Sequence, residues 1–117
     1  MLSFPTGLRI WLALRPTDMR KSFDTLAELV RQQLMADPLS GQLFVFRNKR
    51  ADRIKLLYWD DDGFVIVYKR LEKGIFRFPC ADGAGLEIRA ADLQMLLDGV
   101  DLESVKRQPR YRRPVPA

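Results

Sequence analysis

Hydrophobic and polar residues alternate in three consecutive runs between residues 43 and 69, which is the period of a half-buried β-strand. The runs read LFVFR, RIKLLYW and FVIVYK. Two short polar turns separate them, at residues 48–52 and 60–63, and the second ends in Gly63, a residue that left-handed turn positions favour. The pattern therefore predicts an antiparallel β-meander.

Helical spacing replaces this alternation in two other segments. Thr17 or Asp18 is placed to cap a long first helix, whose apolar stripe should lie across the sheet. A short second helix is predicted over residues 90–98, and Gly99 is placed to end it. The apolar stripe of the first helix consists of Phe23, Leu26, Ala27, Val30 and Leu34.

Three further segments carry a strand pattern. Residues 8–14 alternate, which places Trp11 either outward or under a neighbouring element, and short strands are expected at 75–78 and 86–89. The sequence thus predicts the α+β class, with an antiparallel β-meander sheet packed against one long and one short helix.

Four basic residues of the meander are predicted to share one face of the sheet, beside Leu57 and Trp59. A cationic, partly aromatic face suits a polyanion such as nucleic acid. Solvated charges on the outer face of an antiparallel sheet produce the same pattern, so both interpretations stay open. The four residues are Arg47, Arg53, Lys55 and Lys69.

Three sequence blocks resemble a known family. In order, they read PTDMRKSFD, SGQLFVFRNKRADRIKLLYWDDDG and YKRLEKGIF. Together they resemble the small accessory protein, called TnpB and encoded in a second reading frame, of the insertion-sequence sixty-six type of bacterial transposable element. The likeness extends over residues 8–99, with one departure: Ser22 stands where the family pattern has glycine. A serine suits a helix start, whereas it would be less comfortable at a positive φ.

This resemblance implies a protein that is encoded beside a large transposase and is needed for efficient movement of the element. It brings no agreed catalytic residues with it. The chemistry of this chain must therefore be argued from its own side chains.

Length and composition predict one domain. The chain has 117 residues, 47% of them hydrophobic, which suffices for one core and is too short for two ordinary domains. We expect a single domain over residues 1–105, followed by a tail. No run of about twenty apolar residues or secretory signal is visible, so we expect a cytoplasmic protein with no membrane partner.

Residue types missing from the chain exclude several chemistries. The sequence has no histidine and one cysteine, so the usual catalytic triads and zinc sites are excluded, and we interpret Cys80 as a small packing residue. No phosphate-binding glycine loop is present. The three aspartates at 60–62 fit a solvated turn better than a metal site, and the polar cluster at 17–24 fits either a capped helix or a phosphate site. We therefore expect no enzyme activity and no cofactor.

The net charge is concentrated in the tail. The formal charge is +5, and residues 106–117 alone contain five Lys or Arg, no acid and three prolines. Such a segment is expected to be disordered or extended and is typical of electrostatic tethers to nucleic acid. A merely solubilising tail would have the same composition.

These observations predict a non-catalytic accessory factor for DNA transposition, which binds the DNA of the element ends and assists a separate large transposase. The alternative is an adapter that docks on the transposase through exposed aromatic residues such as Trp11, Trp59 and Tyr68, without contacting DNA. The candidate DNA-binding residues are Arg47, Lys49, Arg50, Arg53, Lys55, Lys69, Arg70 and Lys73 in the folded body, and Arg107, Arg110, Arg112 and Arg113 in the tail.

Overall fold

A computed structural model describes residues 7–99 and the backbone of residues 114–115. The elements are β1 (Ile10–Ala13), α1 (Phe23–Gln33), β2 (Leu43–Arg47), β3 (Arg53–Asp60), β4 (Gly63–Arg70), β5 (Gly85–Ile88), α2 (Ala90–Leu97) and β6 (Pro114–Val115). They form one mixed sheet with the strand order β4-β3-β2-β1-β5-β6. The predicted α+β class is confirmed.

The expectation of a wholly antiparallel sheet is wrong at its centre, where β1 and β2 run parallel. Ile10 lies beside Leu43 of β2 and beside Ile88 of β5, and only the pairing with β5 is antiparallel. Because α1 connects β1 to β2, the chain returns to the same end of the sheet before β2 begins, as parallel neighbours require. The pairs β2·β3 and β3·β4 are antiparallel and follow chain order.

The sheet is covered on both faces, so β1 is buried on both sides. On one face, α1 packs through Leu26 and Val30 against a cluster that includes Trp11 and Phe44. On the other face, α2 and the loop before β5 cover a second cluster. Trp11 is therefore a core residue that is 6% exposed, and its indole N–H donates to Gln42 at 2.7 Å.

Helix α1 begins later than the sequence predicts. Its N-cap is Ser22, whose N–H donates to the hydroxyl oxygen of Thr25 at 2.9 Å, so the predicted caps Thr17 and Asp18 are wrong. Asp18 instead accepts hydrogen bonds from Arg20, which closes a local turn ahead of the helix. Ser22 has a φ of −130°, so this position does not need glycine.

Two local predictions around the hairpins also fail. The left-handed residue of the β3–β4 turn is Asp61, with a φ of 52°, and Gly63 is the first residue of β4. Aspartate tolerates this conformation better than most residues, which is why glycine is not needed there. Residues 75–78 form no strand, because this segment is held by single contacts such as the donation from Phe76 N–H to Ala51 O at 2.7 Å.

The remaining elements lie where the pattern places them, apart from the tail. Helix α2 ends ahead of Gly99, which has a φ of 83°. Of the predicted tail, residues 106–113 and 116–117 lie outside the described residues. Strand β6 pairs antiparallel with β5, so the tail is not disordered throughout. Within the described residues, no helix is long and apolar enough to cross a membrane. The division into one domain and a tail stays a prediction.

Candidate nucleic-acid interface

Two chain segments that are distant in sequence line an open groove of about 550 Å³. One segment is residues 16–20, which precede α1, and the other is residues 48–53, which form the β2–β3 turn and the start of β3. A backbone hydrogen bond from Thr17 N–H to Arg47 O, 2.7 Å long, holds the two segments together. The groove therefore joins the polar cluster before α1 to the basic turn of the first hairpin. We call it the basic groove.

Asn48 shapes the turn that forms one wall of the basic groove. Its side-chain amide donates to Asp52 at 2.6 Å, and its side-chain oxygen accepts from the N–H of Arg53 at 3.0 Å. Ala51 closes the turn in a left-handed conformation with a φ of 60°. The Asn48 side chain thus provides the hydrogen bonds that hold the turn. The side chains of Lys49 and Arg50, which lie between Asn48 and Ala51, are exposed to solvent.

Lys55 anchors the opposite wall. It is 7% exposed, and its ammonium donates to the carbonyl oxygens of Met19 at 2.8 Å and Lys21 at 2.7 Å, 4.7 Å from the centre of the Tyr68 ring. A buried ammonium needs such acceptors because it loses its water. Lys55 therefore fixes the segment before α1 onto β3, and it does not present its charge to a ligand.

The groove has an excess of positive charge. Lys49 and Arg50 donate no side-chain hydrogen bond within the part of the chain that the structure describes. Arg53 donates to the hydroxyl oxygen of Tyr68 at 3.2 Å, which holds its guanidinium along the groove. The lining cations are Arg20, Lys49, Arg50 and Arg53, against the carboxylates of Asp18 and Asp52.

Both carboxylates stay ionised well below neutral pH. Hydrogen bonds from the Arg20 side chain lower the pKa of Asp18 to about 2, and the hydrogen bond from Asn48 lowers the pKa of Asp52. The same pairing raises the pKa of Arg20 above its ordinary value. The two carboxylate charges of the groove are therefore constant around neutral pH.

The prediction that four cations share one face of the sheet is wrong. Ile54 lies between Arg47 of β2 and Lys69 of β4, so these two cations are on the α2 face. Arg53 and Lys55 point to the α1 face. The strand register decides this, because neighbours in adjacent strands share a face and a shift of one residue reverses it.

Arg47 serves as an internal link on the α2 face. Its Nη2 donates to Leu14 O at 2.7 Å, and its guanidinium lies 5.5 Å from the centre of the Phe78 ring. Partial burial lowers its pKa. It lines a separate cavity of about 490 Å³, together with Arg77 and Cys80. Cys80 is exposed, which corrects its interpretation as a packing residue.

The other candidate residues do not line the basic groove, although Arg70 lies opposite Arg53 in the β3–β4 ladder. Arg70 is exposed at the end of β4 and bridges to Glu72 at 2.8 Å, while Lys69 and Lys73 are exposed nearby. Arg107, Arg110, Arg112 and Arg113 lie outside the described residues. Within residues 7–99, no three Cys, Asp or Glu side chains are grouped closely enough to hold a metal ion.

Sequence reasoning missed the contribution of Arg20 to the basic groove. The polar cluster at residues 17–24 is visible in the sequence, but the pattern does not connect it with the turn at 48–52. The connection is made by the Thr17–Arg47 backbone hydrogen bond and by the contacts of Lys55 to Met19 and Lys21. No spacing in the sequence indicates that contact.

Comparison with known proteins shows one family and two similar chains. The family model described as "IS66 Orf2 like protein" matches residues 8–107. The chain is 40% identical over 112 residues to the uncharacterized protein y4jC of Sinorhizobium fredii, covering 96% of each chain. It is also 40% identical over 101 residues to y4hO of the same organism, covering 86% of this chain and 88% of that one. No solved structure gives a significant match.

Proposed function

Because the chain belongs to the family of IS66 Orf2-like proteins, which have accessory roles in transposition, we propose that it binds DNA through the basic groove and assists a separate large transposase. The observation that carries the proposal is the pair of exposed cations, Lys49 and Arg50, on a turn whose backbone is held by Asn48. The proposed role is non-catalytic.

The shape of the groove supports contact with a phosphate backbone. It is open and is lined by cations from two segments, so an extended polyanion can lie along it without entering a closed pocket. Arginine and lysine contacts to phosphates fix the position of a protein on a duplex but do not read its sequence. The groove is therefore proposed as a general DNA contact.

Two groups of sequence-predicted residues extend this proposal. Lys69, Arg70 and Lys73 would meet phosphates beside the groove, and the arginines at 107, 110, 112 and 113 would act as a tether. Lys55 and Arg47 are left out of the DNA contact, since both are committed to carbonyl oxygens of the protein itself.

Fluorescence anisotropy of a labelled element-end duplex and a scrambled duplex, at several salt concentrations, tests the proposal. The paired substitution Lys49→Glu and Arg50→Glu should weaken binding about tenfold or more and reduce the salt slope by about 2, because each lost phosphate contact removes roughly one unit. Arg77→Glu is the control: it reverses an exposed charge that lines the other cavity. If the double variant and Arg77→Glu lose the same DNA affinity, or if the double variant loses none, the groove is removed from the proposal.

The adapter hypothesis stays as a second candidate, with a changed set of residues. Trp11 is buried and Trp59 packs edge-on against Phe64, whereas Tyr68 is 48% exposed and Phe23, at the start of α1, is 45% exposed. Exposed aromatic residues are enriched at protein interfaces. Stable co-purification with the transposase after nuclease treatment, lost on Tyr68→Ala and retained by the Lys49 and Arg50 double variant, would favour this role over DNA binding.

A further inference from the structure

Strand β4 is a long edge strand. It pairs with β3 along its whole length, from Arg70 beside Arg53 to Gly63 beside Asp60, and no other described strand lies on its far side. In an antiparallel ladder, every second residue directs its N–H and C=O away from the partner strand. Half of the backbone groups of β4 are therefore directed to an open edge.

The side chains of β4 do not protect this edge. Phe64 and Ile66 pack on the α1 cluster and Val67 packs on the opposite cluster, so apolar groups lie on both faces. The pairing with β3 contains no bulge and β4 contains no proline, and its charges are confined to the last two residues. Natural edge strands usually carry a bulge, a proline or charged side chains that prevent pairing with another chain.

The two ends of β4 carry opposite charges. The turn before it contributes the exposed Asp61 and Asp62, and its last residues are the exposed Lys69 and Arg70. Two such strands attract each other when they run antiparallel, because each acidic end then lies beside a basic end. A parallel arrangement would put like charges together.

We propose that two copies of this chain associate through antiparallel pairing of their β4 strands. With a two-fold axis at Ile66, Asp62 of one copy lies opposite Arg70 of the other, and Phe64 lies opposite Tyr68. The arrangement is isologous, as most dimer interfaces are. Arg70 already holds Glu72 in an exposed contact, and Asp62 of the second copy joins it.

Sedimentation velocity on the full-length protein without DNA tests the pairing, over a range of about 1 µM to about 1 mM. The dimer fraction should rise with concentration. Asp62→Lys and Arg70→Glu should each raise the dissociation constant about tenfold, since each turns two attractions into repulsions. The protein carrying both substitutions should recover the original value, because the charges are then exchanged.

Asp82→Lys is the matched control, since Asp82 is an exposed aspartate in the loop before β5. It should leave the dissociation constant unchanged. Hydrogen exchange gives a second measurement: the amides of β4 should become more protected as concentration rises, while those of β1 should not change. A protein that stays monomeric throughout, or a dimer that responds equally to Asp62→Lys and Asp82→Lys, would overturn the inference. The assay contains no DNA, so it is independent of the proposed function.

Discussion

The two turns that flank β3 share one backbone feature and have opposite charges. Each contains a non-glycine residue in the left-handed region, Ala51 with a φ of 60° in one and Asp61 with a φ of 52° in the other. The first turn exposes Lys49 and Arg50, whereas the second is a run of aspartates. One end of the hairpin is therefore suited to an anion, and the other end repels it.

Because of this separation of charge, β3 has a basic turn at one end and an acidic turn at the other end. In the proposed function, this separation favours one orientation of bound DNA, with its phosphates at the basic groove and away from the acidic turn. The same polarity favours antiparallel association of two β4 strands. Both proposals therefore rest on the opposite charges at the two ends of β3.

The largest expected effect comes from removing the anchor beside the basic turn. Lys55→Ala should lower the free energy of unfolding by about 2–4 kcal/mol, because the carbonyls of Met19 and Lys21 lose a buried charged donor. Lys55→Met keeps the aliphatic stem and should cost less. The measurement is urea unfolding.

Lys69→Ala is the control for this experiment, since Lys69 is an exposed lysine of the same hairpin. It should change the free energy of unfolding by less than about 0.5 kcal/mol. If Lys55→Ala costs no more than Lys69→Ala, the two carbonyl contacts do not stabilise the fold.

A smaller change in stability should distinguish the two residues with a left-handed backbone, Ala51 and Asp61. Ala51→Gly should raise the free energy of unfolding by about 0.5–1 kcal/mol, because glycine adopts a positive φ without the steric cost that alanine meets. Asp61→Gly should change it by less than about 0.5 kcal/mol, since aspartate tolerates this region and glycine adds entropy to the unfolded chain. Thermal unfolding of the two variants side by side is the measurement. A larger gain in stability from Asp61→Gly than from Ala51→Gly would refute the prediction.

The acidic turn should have a weak influence on DNA binding. Asp61→Asn with Asp62→Asn should strengthen binding of a duplex roughly twofold at low salt, because a repulsion at the far end of β3 is removed and screening limits its reach. The anisotropy titration used for the basic groove measures it. A gain in DNA affinity as large as the loss expected from Lys49→Glu with Arg50→Glu would contradict this, because DNA would then lie close to both turns.

The smallest expected effect is that of pH. Between pH 6 and 8, the affinity for DNA at fixed ionic strength should change less than about twofold, because the chain has no histidine and the lowered pKa values of Asp18 and Asp52 keep both carboxylates charged. The contribution of each carboxylate to stability is present above the ordinary aspartate pKa and is lost as pH falls through its lowered pKa, which for Asp18 is about 2. A midpoint in the anisotropy signal near neutral pH would contradict this.

Local patterns predicted much of the secondary structure, because alternation and helical spacing are properties of neighbouring residues. The strands β2, β3 and β4, the second helix and its end at Gly99 follow directly from them. The parallel pairing of Ile10 with Leu43 does not follow from them, since it depends on the end of the sheet to which α1 returns the chain.

The candidate site was predictable in part. The exposed pair Lys49 and Arg50 was visible as a polar turn, and the structure places both in the basic groove. The separation of Arg47 from Arg53 was not visible, because it depends on strand register. The burial of Lys55 was missed for a similar reason: its acceptors lie in a segment that is distant in sequence.

The central position of β1 has a consequence for how the protein is made. Among the strands of residues 7–99, β1 is synthesised first and its partner β5 last, so the pairing of Ile10 with Ile88 forms only after the other strands have been made. The hairpins β2–β3 and β3–β4 form from adjacent segments and need no such delay. During translation, one edge of β1 therefore stays unpaired until β5 has been synthesised, and an unpaired strand edge is prone to misassociation during that interval.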